Sequence, residues 1–233
     1  MGSFATLYLF KRIIEYAPSN NDRDYLEVFV HNNSRIPDRT AALLDGGANP
    51  LPELLRSALA LEKSGSDYIV MACVTAHFYS NEISKYLKDA VLISILDATT
   101  AYLHNNYPPG LKVGILASTG AIRTGLWQQH LQQIGLESLV LPEDLQQTLI
   151  MDAICGEAGL KKGIVSGVSR DKFLSAIRFL EDMGADLILA GCSEVPMVIS
   201  ADDTDLQIID SIEILINNIY SSINPRINVC PTN

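Results

Sequence analysis

Positive charge is scarce in this chain: 17 Lys and Arg stand against 27 Asp and Glu in 233 residues, for a formal charge of −10. A nucleic acid or an anionic membrane surface needs clustered Lys and Arg, so neither is expected as a partner. No apolar run approaches bilayer-spanning length and no basic-then-apolar leader opens the sequence, so the expectation is a cytoplasmic protein. Cysteine is sparse too, with four residues at 73, 155, 192 and 230 and no close pair of the zinc or thioredoxin kind. In a reducing compartment these are free thiols, and a Cys73–Cys192 disulfide is expected only as an oxidation product. HExxH, P-loop and GxGxxG signatures are missing, as is any low-complexity segment. The apolar share of 48% supports an ordinary core, and the length suits one large domain or two modest ones.

What the chain does contain is a repeat. Residues 61 to 73 read LEKSGSDYIVMAC and residues 180 to 192 read LEDMGADLILAGC, so Leu, Glu, Gly, Asp, Ile and Cys recur at a constant offset of 119. In each copy a helical pattern stops at a glycine, Gly65 or Gly184, suited to a left-handed helix end. A short aliphatic run comes next, Tyr68 to Ala72 or Leu187 to Gly191, and reads as a buried parallel strand. Cys73 and Cys192 thus close two equivalent strands, at the edge where open α/β sheets carry ligands. A lone cysteine is more often a small apolar residue packed at a strand end. Repetition at matched positions instead suggests a pair of catalytic bases facing one site, whereas Cys155, in a helical pattern, and Cys230, in a tail, keep the packing role.

Around these landmarks the patterns predict helix over 3–16, strand over 25–31, helix over about 51–63, helix near 79–88, strand over 91–95 and helix near 97–106. Asn105 to Gly110, with two consecutive prolines, marks a linker. Beyond it come strand 112–117, helix 121–134, strand 138–141, helices near 144–159 and 170–183, the Cys192 strand, strand 206–209 and a helix from about 211 to 222 that returns onto the first domain. The expected fold class is α/β, as two pseudo-symmetric domains, each a mainly parallel sheet flanked by helices, with the site in the cleft between them. Residues 1–104 plus 206–233 form the first domain and 105–205 the second.

Four segments carry a closer likeness: Met1-Gly2-Ser3-Phe4-Ala5-Thr6, Ile36-Pro37-Asp38-Arg39-Thr40, Cys73-Val74-Thr75-Ala76-His77 and Cys192-Ser193-Glu194-Val195-Pro196. Together they resemble the cofactor-independent aspartate/glutamate racemase superfamily, its aspartate racemases most closely. That group is marked by a GGMGPxAT glycine loop, IPDRT, CNTAH and GCTE segments, and a lysine in a K-x-G context. The likeness runs along essentially the whole chain. It implies racemisation of a small acidic amino acid, L- and D-aspartate, by proton transfer at Cα between two cysteines. It also implies a homodimer and no pyridoxal phosphate, flavin or metal. The nearest rivals are a racemase of glutamate, hydantoins or related dicarboxylates, and a non-catalytic amino-acid-binding homologue.

Two thiols suit this chemistry because one removes the weakly acidic α-hydrogen while the other donates from the opposite face. The likeness places Arg39 on a substrate carboxylate, where a guanidinium fork gives two parallel donors. Arg35 is the alternative. Lys161 fills the K-x-G position, with Lys162 second. Thr75, Ser118, Thr119, Ser193, Gly2 and Ser3 complete the expected substrate-binding set, His77 reads as a packed histidine and Glu194 as a loop-orienting residue. The chain departs from the pattern at Val74, where asparagine is usual, and at Ala121, where threonine is. Val74 is expected to dry and tighten the carboxylate pocket and so to favour aspartate over glutamate. The sequence also opens inside the glycine loop, so the strand that usually precedes it is expected to be absent, leaving apolar surface and unpaired backbone beside it.

Overall fold

The two glycines that end the repeated helices take the left-handed backbone their position demands, with φ of +95° at Gly65 and +86° at Gly184. Each turns the chain into a strand, and those strands organise the fold. The structure, a computed structural model, describes residues 1–17 and 21–223, so Cys230 lies outside the described residues. The first half contains α1 (Ser3–Tyr16), α2 (Arg39–Leu44), α3 (Leu51–Lys63), β1 (Tyr68–Val70), α4 (Ser80–Ser84), β2 (Val91–Ile93) and α5 (Ile95–Asn106). The second contains β3 (Lys112–Leu116), α6 (Thr119–Arg123), α7 (Leu126–Gln133), β4 (Glu137–Leu139), α8 (Glu143–Leu145), α9 (Asp152–Cys155), α10 (Val168–Asp182), β5 (Leu187–Ala190), β6 (Gln207–Asp210) and α11 (Ser211–Ile223).

Every strand pairing is parallel. Among the described residues β1 pairs with β2 alone, while the second half orders its strands β4-β3-β5-β6. Side chains alternate across this larger sheet, as the pleat requires. Val113, Ile115, Leu187 and Leu189 face one core with α5, α7 and α11. Ile188 and Ala190 face another with Phe173, Ala176, Ile177 and Leu180 of α10. A separate small core in the first half gathers Ile36, Leu54, Ala58, Ile69, Met71 and Ile83. The two-domain α/β class is therefore the one expected.

Several boundaries differ from the sequence reading. Residues 25–31 form no strand: the segment has no ladder partner among the described residues, and an apolar groove is lined by both it and β1. The helix expected near 79–88 is a 3-10 turn, Val74–Tyr79, followed by the short α4. That near 121–134 breaks at Gly125, whose φ is +70°. The helix near 144–159 contains a π-helical stretch, Gln146–Met151, and ends before Gly156. Strand 206–209, expected in the first domain, is β6 and bonds to β5, while α11 after it crosses to α5 and α1. There Tyr220 donates to the Ile13 carbonyl at 2.8 Å and Arg12 pairs with Glu213. No helix among the described residues is long and apolar enough to cross a membrane.

Candidate active site

Both cysteines leave their strands at the carboxyl edge, and the packing around each strand end fixes the sulfur. After Cys73 the chain tightens into the 3-10 turn, and His77 is buried beneath it. The Ile95 N–H donates to His77 Nε2 at 3.2 Å, so Nδ1 carries the hydrogen and donates to the Cys73 carbonyl at 3.0 Å. Burial pushes the His77 pKa down to about 4, so the ring is a neutral clamp on the Cys73 backbone. Before Cys192, Trp127 donates its indole N–H to the Gly191 carbonyl at 2.9 Å. A Cβ on Gly191 would lie 2.5 Å from that indole nitrogen, so only glycine lets the strand end pack there.

The sulfurs line one small cleft of about 340 Å³, counting its open mouth, shared with Arg39, Thr75, Ser118, Lys161 and Glu194. Hydroxyls tie the two halves together at its base. Thr75 Oγ1 and Ser118 Oγ are 2.7 Å apart, and Ser193 Oγ donates to the Ala72 carbonyl at 3.3 Å.

Charge divides the cleft. Arg39 opens α2, is 7% exposed, donates through Nη1 to the Pro37 carbonyl at 2.9 Å and shares the cleft wall with Cys73. Burial works against its charge, but Cys73, Asp38 and Glu194 outweigh that and hold its pKa above the ordinary value. Its Nε is buried without an acceptor. On the other side, Cys192 Sγ donates to Glu194 Oε2 at 3.0 Å, and Ser193 Oγ reaches the same oxygen at 3.1 Å. Burial, reinforced by that carboxylate, pushes the Cys192 thiol well above its usual range. Lys161 sits 3.7 Å from Asp38, and although burial opposes its charge, Cys155, Asp38 and Glu194 leave its pKa raised.

Residues 1–219 match the Asp/Glu/Hydantoin racemase family. The chain belongs to that family. It is 25% identical over 225 residues to the broad specificity amino-acid racemase RacX of Bacillus subtilis (strain 168), covering 91% of this chain and 89% of that one. In fold it is similar to the aspartate racemase of Picrophilus torridus, with a TM-score of 0.80 at 23% identity over 95% of this chain and 90% of the other. A glutamate racemase from Francisella tularensis solved with D-glutamate gives a TM-score of 0.64 at 15% identity, with 99% and 81% covered.

Within this racemase-family chain the expected residues divide. Arg39, Cys73, Thr75, Ser118, Lys161 and Cys192 line the cleft. Ser193 lies behind it on Glu194, and Gly2 packs on the same side chain, where a Cβ would fall 2.7 Å from Oε1. Ser3 is exposed and bonds Asn32, outside the cleft. Thr119 turns away too, accepting from Gln147 at 2.9 Å and Gln146 at 3.4 Å. Lys162 points to the Glu157 carbonyl, so Lys161 is the cleft lysine. Val74 and Ala121 are corrections: both are buried in the main core and neither lines the cleft, because the 3-10 turn that presents Thr75 rotates Val74 inward.

Sequence reasoning missed Asp38, Met151, Ile154 and Cys155 in the lining and undervalued Glu194. Asp38 was legible as a helix cap, and it accepts from the Ala41 N–H at 2.8 Å. Met151 reaches the cleft because the π-helical stretch shifts its register, which no sequence periodicity reveals.

Proposed function

We propose that this chain interconverts L- and D-aspartate by two-thiol proton transfer at Cα. The observation that carries the reading is the charge contrast across one cleft, where Cys73 faces a guanidinium and Cys192 a carboxylate. A substrate carboxylate fits the cationic side, where Arg39 offers its unpartnered Nε–H and Lys161 a second positive charge. The Thr75–Ser118 hydroxyl pair, in which one O–H donates to the other, leaves one O–H free beside it. The Cys73 thiolate takes the α-hydrogen as a proton, leaving the electron pair on Cα, and the Cys192 thiol delivers its proton to the other face. Turnover leaves a thiol at Cys73 and a thiolate at Cys192, ready for the opposite enantiomer. Before the same enantiomer is used again, Cys73 releases its proton to water and Cys192 regains one from water, with Glu194, already on the Cys192 sulfur, placed to relay it.

This reading includes a homodimer, tested by sedimentation, and a cytoplasmic location. A second reading, a wider amino-acid range, draws support from the apolar wall formed by Met151 and Ile154 and from the likeness to a broad-specificity racemase. Incubation in D2O with L-Asp, D-Asp, L-Glu and a panel of apolar amino acids, followed by NMR of the α-proton and chiral chromatography, separates them. Loss of the α-proton with appearance of the other isomer for aspartate is expected. Exchange on no amino acid sinks both readings and leaves a binding protein.

A further inference from the structure

Three side chains of the π-helical stretch Gln146–Met151 grip a single turn at the base of the cleft. Gln146 Nε2 donates to the Ala117 carbonyl and Gln147 Nε2 to Thr119 Oγ1, each at 2.9 Å. Met151 Sδ accepts from the Thr119 N–H at 3.3 Å. Between those anchors stands Ser118, which caps α6 and reaches Thr75 across the halves. π-Helical insertions of this kind concentrate at functional positions.

Apart from the cysteines, the apolar side chains of the cleft lining are Met151 and Ile154. Ile154 is 1% exposed and packs into the core of the second half, whereas Met151 is half-buried. Met151 is therefore the one whose surface a ligand meets. A free methionine makes a poor wall, because its unbranched chain and three rotatable bonds let it move aside. Here the Thr119 N–H, a first-turn donor that α6 cannot satisfy from within, holds the sulfur in place. The turn that carries Lys161 packs on α9, the helix that Met151 leads into. A carboxylate drawn to Lys161 thus lies against the same wall.

We propose that Met151 is a specificity-determining residue, a pinned length stop that admits the side chain of aspartate and turns away that of glutamate. This rests on the aspartate reading of the cleft. With the α-carboxylate on Arg39 and the second carboxylate toward Lys161, one further methylene has to push the thioether off its amide. Removing the stop opens room for that methylene and frees the Thr119 N–H for the longer side chain's carboxylate, a charge-assisted bond.

The test reads two ratios on the full chain: kcat/KM for glutamate over aspartate, and the association constants of glutarate over succinate. The two diacids differ by the same methylene and carry no α-amino group, so they report binding without turnover. Met151→Ala should raise each ratio about tenfold or more, the usual worth of one methylene in a pocket. Met151→Val keeps part of the bulk and should raise them less, and it carries the test if the alanine variant does not fold. Met151→Leu, close in volume, should leave both ratios within about threefold of the parent. The proposal is overturned if truncation leaves either measurable ratio where it was, if leucine moves the ratios as far as alanine, or if the parent already favours the longer diacid. It is also overturned if the parent binds neither diacid and turns over neither amino acid. A shift in diacid binding without racemisation would uphold the length stop and remove the aspartate reading, while aspartate racemisation with unmoved ratios would do the reverse.

Discussion

Cys73 and Cys192 end equivalent strands, yet the halves that present them are built differently. One is a two-stranded sheet with a free edge, the other a four-stranded sheet closed on both sides of its cysteine strand. Their electrostatics differ as well, since Arg39 attends the first sulfur and Glu194 the second. The shared part of the repeat sets where the sulfurs stand. What distinguishes them comes from segments outside it: the start of α2 and the residues just past β5. Repetition thus accounts for the matched strand ends, and divergence for the raised pKa of the Cys192 thiol.

The largest test of that contrast removes each sulfur. On the two-base reading, Cys73→Ala and Cys192→Ala should each lower racemisation by about 10³-fold or more in both directions, since each deletes one of the two proposed proton-transfer groups. Chiral chromatography measures the loss, and parental rates in either variant would end the two-base reading.

Next comes acid stability, where the halves oppose each other. His77 in the first half has its pKa lowered from 6.5 to about 4 by burial, so its contribution to stability is complete above pH 6.5 and is lost as pH falls toward 4. The shift corresponds to about 3 kcal/mol. Asp210 in the second half has its pKa raised from 3.8 to about 6 by burial and then by Glu213, so its contribution is present at low pH and is lost as pH rises through 6. Urea melts of His77→Gln and Asp210→Asn against the parent should show gaps that change with pH in opposite senses. Gaps that stay constant from pH 4 to 6.5 would remove both groups from the account.

A change of similar or smaller size belongs to the guanidinium. Arg39→Lys keeps the charge and loses the fork, which should cost about 2 to 3 kcal/mol, or roughly a hundredfold in kcat/KM, while the fold persists. An unchanged kcat/KM would move carboxylate binding to Arg35 or Lys161.

Glu194→Gln should slow turnover by about tenfold, less than the loss expected for a group that itself moves the α-proton. Its signature is the direction of the pH shift. Without the carboxylate the Cys192 thiol ionises at lower pH, so the alkaline limb of the kcat/KM profile should move down. A limb that stays put would leave Glu194 only packing against Gly2.

The smallest effect is the link across the halves. A double-mutant cycle with Thr75→Val and Ser118→Ala should give a coupling of about 1 kcal/mol in stability, the usual worth of one such hydrogen bond. A coupling near zero would show that other contacts hold the cleft together.

The sequence was most readable where one physical cue dominated. Gly184 and the wholly buried run Leu187–Ala190 located the Cys192 strand because a glycine stop and dense burial leave few alternatives. Residues 25–31 misled because their β-branched and aromatic side chains report a strand preference, whereas a strand exists only with a hydrogen-bonded neighbour. In the cleft, Arg39, Lys161 and both cysteines could be picked out by motif. Val74 and Thr119 could not be placed, since a 3-10 turn and a capped helix start decide which neighbouring side chain faces inward. Glu194 was visible but its partner was not, because a contact between residues two apart depends on the local fold rather than on spacing.

Trp127 is the only tryptophan in the chain, and its indole is held on the backbone carbonyl immediately before Cys192. The protein therefore carries its own optical label at the end of one sulfur-bearing strand. With the ring 1% exposed, its emission should be blue-shifted in the native state and move red when the second half opens. Unfolding that begins at the free edge of β1 would be silent to this fluorophore while far-UV dichroism already reported it. A gap between the two signals during denaturation would measure how far the halves come apart as separate cooperative units.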